Sequence, residues 1–380
     1  GLRDLAATDV RLHHTAGRLR RQLDATRVHL LLEQVELRQR AAKKFVDPQR
    51  MLFTRQALEQ ATDEWVARYK ATRFANCDQL TDLCCGIGGD LLALAAQGNV
   101  CAIDRDPVCL QLAEHNVGIR ADYVAIDVAN WQPARAEVWH LDPDRRPHDG
   151  RTSQLNASSP SARDVERLLD CAPSAAIKLA PAAVVPERWH GTCELEWISR
   201  NRECKQLVAW HGELTRQHGV RRATVLRRIS PNSEQINVAD SLDEIPAARA
   251  PIAECIGPFI HVPDPAVMAA GLVDSLAVRT DACRLAVDGA YLTSDHPSRH
   301  GCSDIFEVVD VLPLDRRKLA RYVAARNIGT LEIKTSGVDI LPEQLRTVLK
   351  PRGENSATFL ITRVGKRRQV AVSKRVETVC

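Results

Sequence analysis

The chain has 380 residues, of which 44% are hydrophobic and 26% charged, an ordinary globular mixture long enough for two or three domains. No apolar run approaches ~18 residues, so no membrane span is expected, and the opening Gly1-Leu2-Arg3-Asp4 has no charged-then-apolar secretory pattern. The net charge is only +4, but residues 311–380 hold 15 Lys/Arg against 6 Asp/Glu, a local +9 that leaves −5 for the remainder. This asymmetry points to an anionic partner for the C-terminal part. The 12 cysteines include no C-x-x-C pair and meet no His pair at zinc spacing, so neither a metal site nor a disulfide framework is expected. Cys101, Cys109, Cys171 and Cys193 sit in apolar stretches and read as small hydrophobes in a reducing, cytoplasmic setting.

Taken in chain order, residues 19–74 predict helices. The run Val28–Leu37 has strong helix formers and no Pro or Gly. Asp47-Pro48 breaks the pattern, and a second helical run covers Arg55–Ala71. From Asp78 short apolar strands alternate with amphipathic helices. Strands are predicted at Gln79–Cys84, Val100–Asp104, Tyr123–Ile126, Val138–Leu141 and Ala175–Leu179, with helices at Asp90–Gln97 and Pro107–Val117. That βαβα order predicts a doubly wound parallel sheet, which Cys193–Ser199, Lys205–His211 and Ala223–Arg228 can complete. Residues 230–251 are rich in Ser, Asn, Asp and Pro and read as a linker. Beyond them a helix is expected over Asp264–Ala277 and a strand over Ala290–Thr293. The end of the chain reads as a compact α/β unit: helix Asp315–Arg326, strand Thr330–Lys334, helix Pro342–Leu349, strands Ala357–Val364 and Gln369–Ser373, with a turn at Gly365-Lys366-Arg367-Arg368. The expected division is 1–75 (N-terminal helical), 76–235 (α/β), 236–310 (linker and connecting segment) and 311–380 (C-terminal α/β).

The most informative stretch is Leu80-Thr81-Asp82-Leu83-Cys84-Cys85-Gly86-Ile87-Gly88-Gly89-Asp90. A strand runs into a glycine-rich turn and then a helix, which lets a ligand approach the backbone. A dinucleotide fingerprint needs G-x-G-x-x-G, but the sixth position is Leu91. Asp82 and Asp90 would also crowd a pyrophosphate with like charge. S-adenosylmethionine has no phosphate and carries an ammonium and a sulfonium, so it suits this turn better. Asp104, at the tip of the second strand, is placed to accept both ribose hydroxyls. Asp127, after the third, can receive an adenine amino group or simply cap a turn. The fourth strand ends in Asp142-Pro143-Asp144-Arg145-Arg146. Lys178, near the end of the fifth, is a candidate to reach the site.

The run from Asp82 to Asp90, with Asp104 and Asp127, resembles the first three motifs of class I S-adenosylmethionine-dependent methyltransferases. Its Cys84-Cys85-Gly86-Ile87-Gly88-Gly89 form is similar to the branch containing trimethylguanosine synthase. Over roughly residues 32–376 the chain resembles bacterial class I methyltransferases with a C-terminal THUMP-like domain. The supporting runs are Phe53–Thr62, Asp142–Arg146, Gly271–Val273, Ala290–Asp295, Ile328–Lys334 and Arg352-Gly353. The resemblance implies a Rossmann-like methyltransferase sheet between an N-terminal helical region and a THUMP-like α/β domain, with S-adenosylmethionine as cofactor and RNA as partner. It implies cofactor contacts from Asp82, Cys84, Gly86, Gly88, Asp104 and Asp127, with Phe53 and Thr54 as candidates to cover the cofactor. Asp142, Pro143 and Asp144 stand where amino-directed enzymes carry D/N/S-P-P and an aromatic; here Asp144 replaces the second proline and Arg145 the aromatic. Asp142 can still accept a hydrogen bond from a target amine. Arg145, Arg146, Lys366, Arg367 and Arg368 are the candidate substrate contacts.

Overall fold

A computed structural model describes residues 20–75, 77–135, 137–144, 158–228 and 236–376. The N-terminal part forms helices where the sequence supplies caps. Asp24 accepts the Arg27 N–H at the start of α1 (Ala25–Ala41). Thr54 caps α2 (Arg55–Gln60) and Asp63 caps α3 (Glu64–Ala71), each satisfying an N–H that the first turn leaves orphaned. Leu37, Phe45, Phe53 and Leu58 gather into one apolar core with Ile87 of the glycine turn. Asn116 adds polar stitching: its side chain bonds the Leu52 N–H, the Leu52 carbonyl and the Ile87 carbonyl at 2.8–3.1 Å.

The α/β part follows as β1 (Leu80–Leu83), α4 (Leu91–Leu94), β2 (Val100–Asp104), α5 (Pro107–Val117), β3 (Ala121–Ala125), β4 (Val138–Leu141), α6 (Ala162–Cys171), β5 (Ala175–Leu179), β6 (Glu194–Arg200), β7 (Glu203–His211), β8 (Arg221–Arg228) and β9 (Ile236–Asp243). They build a nine-stranded sheet in the order β3-β2-β1-β4-β5-β7-β6-β8-β9. β1 pairs in parallel with both β2 and β4, while β7 runs antiparallel to β5. The strand order therefore reverses beside β1, and the crevice beyond the carboxyl ends of β1 and β4 is where such sheets bind ligands. The helix expected over residues 90–97 is a single turn of four residues.

The chain divides into two compact units: Gly1–Leu195 with Gln206–Gly219 and Arg228–Ile236, and Glu196–Lys205 with Val220–Arg227 and Asn237–Cys380. The stretch expected as a linker over 230–251 contains β9. Within it Ser241 shares a 3.0 Å hydroxyl contact with Thr224 of β8, and Leu242 is buried. Low hydrophobicity had hidden this strand.

The second unit continues with β10 (Phe259–Pro263), α7 (Pro265–Ala270), α8 (Val273–Thr280), β11 (Cys283–Arg284), β12 (Leu292–Ser294), β13 (Ser303–Pro313), α9 (Arg316–Ala325), β14 (Ile328–Thr335), α10 (Pro342–Leu349), β15 (Asn355–Val364) and β16 (Arg367–Arg375). The single helix expected over 264–277 is two, because Gly271 adopts a left-handed φ of +68° and closes α7. A seven-stranded sheet is ordered β11-β12-β10-β13-β16-β15-β14. Leu319, Val323, Leu345 and Leu349 of α9 and α10 pack with Phe359 and Val370 in one core. Gly329, at the start of β14, and Gly353, just before β15, lie where the two segments come together. A Cβ on Gly329 would overlap the Gly353 carbonyl, and one on Gly353 would overlap that of Asn327. No helix among the described residues is long and apolar enough to cross a membrane.

Candidate functional site

The turn after β1 is built from unusual backbone. Cys84, Gly86 and Gly88 all have positive φ, at 57°, 55° and 86°. For Cys84 this is a conformation that L side chains rarely adopt. Each glycine has its own reason. Among the described residues a Cβ on Gly86 would meet no atom within 4 Å, so the turn is bare of them on that side. One on Gly88 would press on Val117 of α5 at 2.9 Å, and one on Gly89 would meet the Thr62 backbone at 3.0 Å. The turn is therefore open to a ligand on one face and clasped by α5 and the N-terminal helices on the others.

A cavity lies over this turn. Its lining includes eight acidic residues, Glu59, Asp82, Asp90, Asp104, Asp106, Asp127, Asp142 and Asp144, and among the described lining residues Arg105 is the sole Lys or Arg. Asp104 accepts the Gly86 N–H and the Asp106 N–H, both at 2.9 Å. Burial raises its carboxyl above the ordinary value, and those two N–H groups pull it back. Asp127 lines the cavity and also caps the turn after β3 through the Ala129 N–H at 2.9 Å. Asp144 pairs through its backbone with Ser159; its carboxylate takes the Gln60 amide at 3.3 Å and lies 3.6 Å from Arg105. Pro143 and Cys84 line the same space. Burial, followed by the fields of Asp104 and Asp142, pushes the Cys84 thiol well up, as burial does for Cys85. Neither is a ready thiolate.

Other candidates fall elsewhere. Phe53 is buried against Phe45 at 5.8 Å, and Thr54 caps α2. Neither lines the cavity. The wall that the N-terminal region supplies is Gln56, Ala57, Glu59, Gln60, Ala61 and Thr62, whereas Phe53 belongs to the helical core with Phe45 and Leu58. Arg145 and Arg146 lie outside the described residues. Lys366, Arg367 and Arg368 are exposed where β15 turns into β16.

Beneath the cavity runs a buried polar chain that sequence reasoning largely missed. His140 Nδ1 meets Asp82 Oδ1 at 2.7 Å and its Nε2 meets Lys70 Nζ at 3.0 Å. An ammonium only donates, so Nε2 accepts and the ring proton on Nδ1 goes to Asp82. Lys70 also holds Asp90 at 2.7 Å. Thr62 donates to the other Asp90 oxygen at 2.6 Å and accepts from Lys178 at 2.7 Å. Lys178 finally pairs with Asp142. Burial opposes the charge on Asp90, but Lys70 and Lys178 outweigh it and hold the carboxyl below its ordinary range. Burial dominates for Asp82, whose carboxyl is raised despite the His140 bond, and for Lys70, whose ammonium is lowered. One signal was available: His140 and Lys178 each interrupt an otherwise apolar strand, in Val-Trp-His-Leu and Ala-Ala-Ile-Lys-Leu. A charge or imidazole buried there needs a partner.

Comparison with known proteins decides the family. The chain is 34% identical over 351 residues to an uncharacterized S-adenosylmethionine-dependent methyltransferase of Mycobacterium tuberculosis, present in two strains, with 88% of this chain and 92% of that protein covered. The chain belongs to the S-adenosylmethionine-dependent methyltransferases. A solved structure of a candidate methyltransferase from Porphyromonas gingivalis shares the fold, with a TM-score of 0.74 at 17% identity over 94% of this chain and 92% of that one. Residues 304–375 match the THUMP domain-like family, so β13 to β16 with α9 and α10 form the THUMP-like part of this methyltransferase.

The cavity residues suit the cofactor of the family. S-adenosylmethionine carries a sulfonium and an ammonium against one carboxylate, a net positive ligand. Among the described residues Asp82 Oδ2, buried in the cavity lining, has no hydrogen-bond partner, a costly arrangement that a bound ammonium would relieve. Gly86 leaves open the space that a Cβ would take. Each Asp104 oxygen uses one lone pair on a backbone N–H and keeps another for a hydroxyl. The acid-rich wall repels a pyrophosphate and attracts a cation.

Proposed function

We propose that this methyltransferase modifies a base of RNA, with an exocyclic amine as acceptor. The observation that carries the reading is that Asp142 and Pro143, at the end of β4, line the same cavity as the glycine turn and Asp104. Donor and acceptor groups therefore share one space. In this reading Asp82 receives the cofactor ammonium, Asp104 its ribose and Asp127 its adenine. Cys84, Gly86 and Gly88 shape the turn around it. Bound S-adenosylmethionine supplies an electrophilic methyl, which the acceptor lone pair takes while sulfur keeps the bonding pair. Asp142 accepts the amine N–H, aligns its lone pair and passes the displaced proton to water; alignment supplies much of the rate.

The wall chemistry also limits how RNA enters. Eight acidic side chains repel phosphate, so a neutral base must leave its stack and enter alone, with the backbone held outside. Phosphate contacts then fall to basic side chains such as Arg145, Arg146, Lys366, Arg367 and Arg368. The same acidic lining also suits a cationic protein side chain as acceptor, which is the second reading.

The test is transfer of labelled methyl to total RNA and to soluble protein, each product then treated with nuclease or protease. Nuclease-sensitive label, lost in Asp142→Ala and Asp104→Ala, is the expected result. Label in protein or small molecules alone overturns the RNA reading.

A further inference from the structure

We propose that Lys178 is a positioning residue for methyl transfer: anchored on the Thr62 hydroxyl, its ammonium fixes the Asp142 carboxylate in the orientation that receives the acceptor. The proposal rests on the reading of Asp142 as the acceptor-side carboxylate. Every residue of β5 is buried, and the Lys178 side chain is only 6% exposed. Taking an ammonium out of water costs several kcal/mol, and a buried ion pair is often no more stable than well-packed apolar side chains. Stability alone therefore does not account for a lysine here.

The hydrogen bonds give the chain a direction. Thr62 has one hydroxyl proton, and Asp90, a carboxylate with only lone pairs to offer, takes it at 2.6 Å. The Thr62 oxygen is then free to accept from Lys178 at 2.7 Å. Held from behind, Lys178 engages Asp142 Oδ2. Among the described residues Oδ1 makes no hydrogen bond, and the side chain is 23% exposed in the cavity wall. Lys178 itself does not line the cavity, so it acts through Asp142. The anchor comes from the N-terminal helical region: Thr62 sits between α2 and α3, and Gly89 lets its backbone close on the glycine turn. One hydroxyl thus ties the cofactor turn, through Asp90, to the acceptor carboxylate, through Lys178.

The experiment uses the full chain and whichever pool, RNA or protein, takes label from it. Lys178→Met should lower kcat about 100-fold, the scale of a misplaced reacting group. KM for the acceptor and the calorimetric affinity for S-adenosylmethionine should stay near their original values. Lys178→Ala should recover activity as propylammonium chloride is added, with no such response in the unaltered chain. If Lys178→Met does not fold, Thr62→Val carries the test, with a smaller loss of kcat expected at unchanged cofactor affinity. Full kcat in Lys178→Met, or in Thr62→Val should only that variant fold, beside an inactive Asp142→Asn overturns the proposal. Full activity in Asp142→Asn instead removes the reading on which it rests.

Discussion

Replacing Lys70 with Met takes away an ammonium while keeping most of its volume. The Lys70 side chain is 1% exposed, 2.7 Å from Asp90 and 3.0 Å from His140. At an effective dielectric of about 20, two unit charges that close attract by roughly 6 kcal/mol. Desolvation of both groups offsets most of that, so the intact pair contributes little net stability. Breaking it is another matter, because Asp90 is then left buried with the Thr62 hydroxyl as its remaining close donor. We expect a loss of about 3–5 kcal/mol, or roughly 6–20 °C in melting temperature for a unit of this size. Urea unfolding followed by circular dichroism measures it. The double variant Lys70→Met/Asp90→Asn should regain a good part of the loss, since no uncompensated charge remains.

The pH dependence has a definite sign. The Asp90 carboxyl is held below its unfolded value, so it contributes stability above that value and loses it as pH falls through the folded one. Without Lys70 the folded value rises, and acid unfolding of Lys70→Met should begin at higher pH. A loss under about 1 kcal/mol, or a double variant no more stable than the single, would refute the reasoning.

Three further predictions concern the cofactor turn, the THUMP-like domain and RNA. Asp82→Asn should weaken S-adenosylmethionine binding by about 10–100-fold, the worth of one charge-assisted hydrogen bond. Because burial raises the Asp82 carboxyl, the affinity of the unaltered chain should climb with pH as that group ionises and should flatten in the variant; calorimetry across pH reads both. Gly329→Ala forces a methyl onto the Gly353 carbonyl and should destabilise the THUMP-like domain by about 1–3 kcal/mol or more, visible as an earlier transition in the melt. Lys366→Glu with Arg367→Glu and Arg368→Glu should weaken RNA binding and make the slope of log affinity against log salt shallower by roughly 2, at about 0.7 per lost phosphate contact on a single strand. Filter binding at several salt concentrations gives the slope, and an unchanged slope removes these residues from the RNA contact.

Where local chemistry is decisive, the sequence was readable. β2, β4 and β5 begin and end where the apolar runs do. The glycine turn, with Asp104 and Asp142 at the next strand ends, was legible because turn geometry and strand period fix which residues reach the carboxyl edge of a parallel sheet. Phe53 and Thr54 were placed differently by the fold, since only packing decides which residues of the N-terminal helices face the turn. The strand β9 was missed because a polar residue such as Ser241 finds its partner, Thr224 of β8, in a strand that no local window contains.

The buried chain from Asp82 to Asp142 belongs wholly to the tertiary structure. Its members stand at positions 62, 70, 82, 90, 140, 142 and 178, and Thr62 meets Lys178 across 116 residues of sequence. A lysine within Ala-Ala-Ile-Lys-Leu announces by itself that it needs a partner, because an unpaired ammonium cannot be buried. Which carboxylate and which hydroxyl answer it depends on how β1, β4 and β5 lie side by side and on where α2 and α3 close over them. Charge compensation acts through space, so the residues alone defined the glycine turn, and the fold chose the partners that hold it.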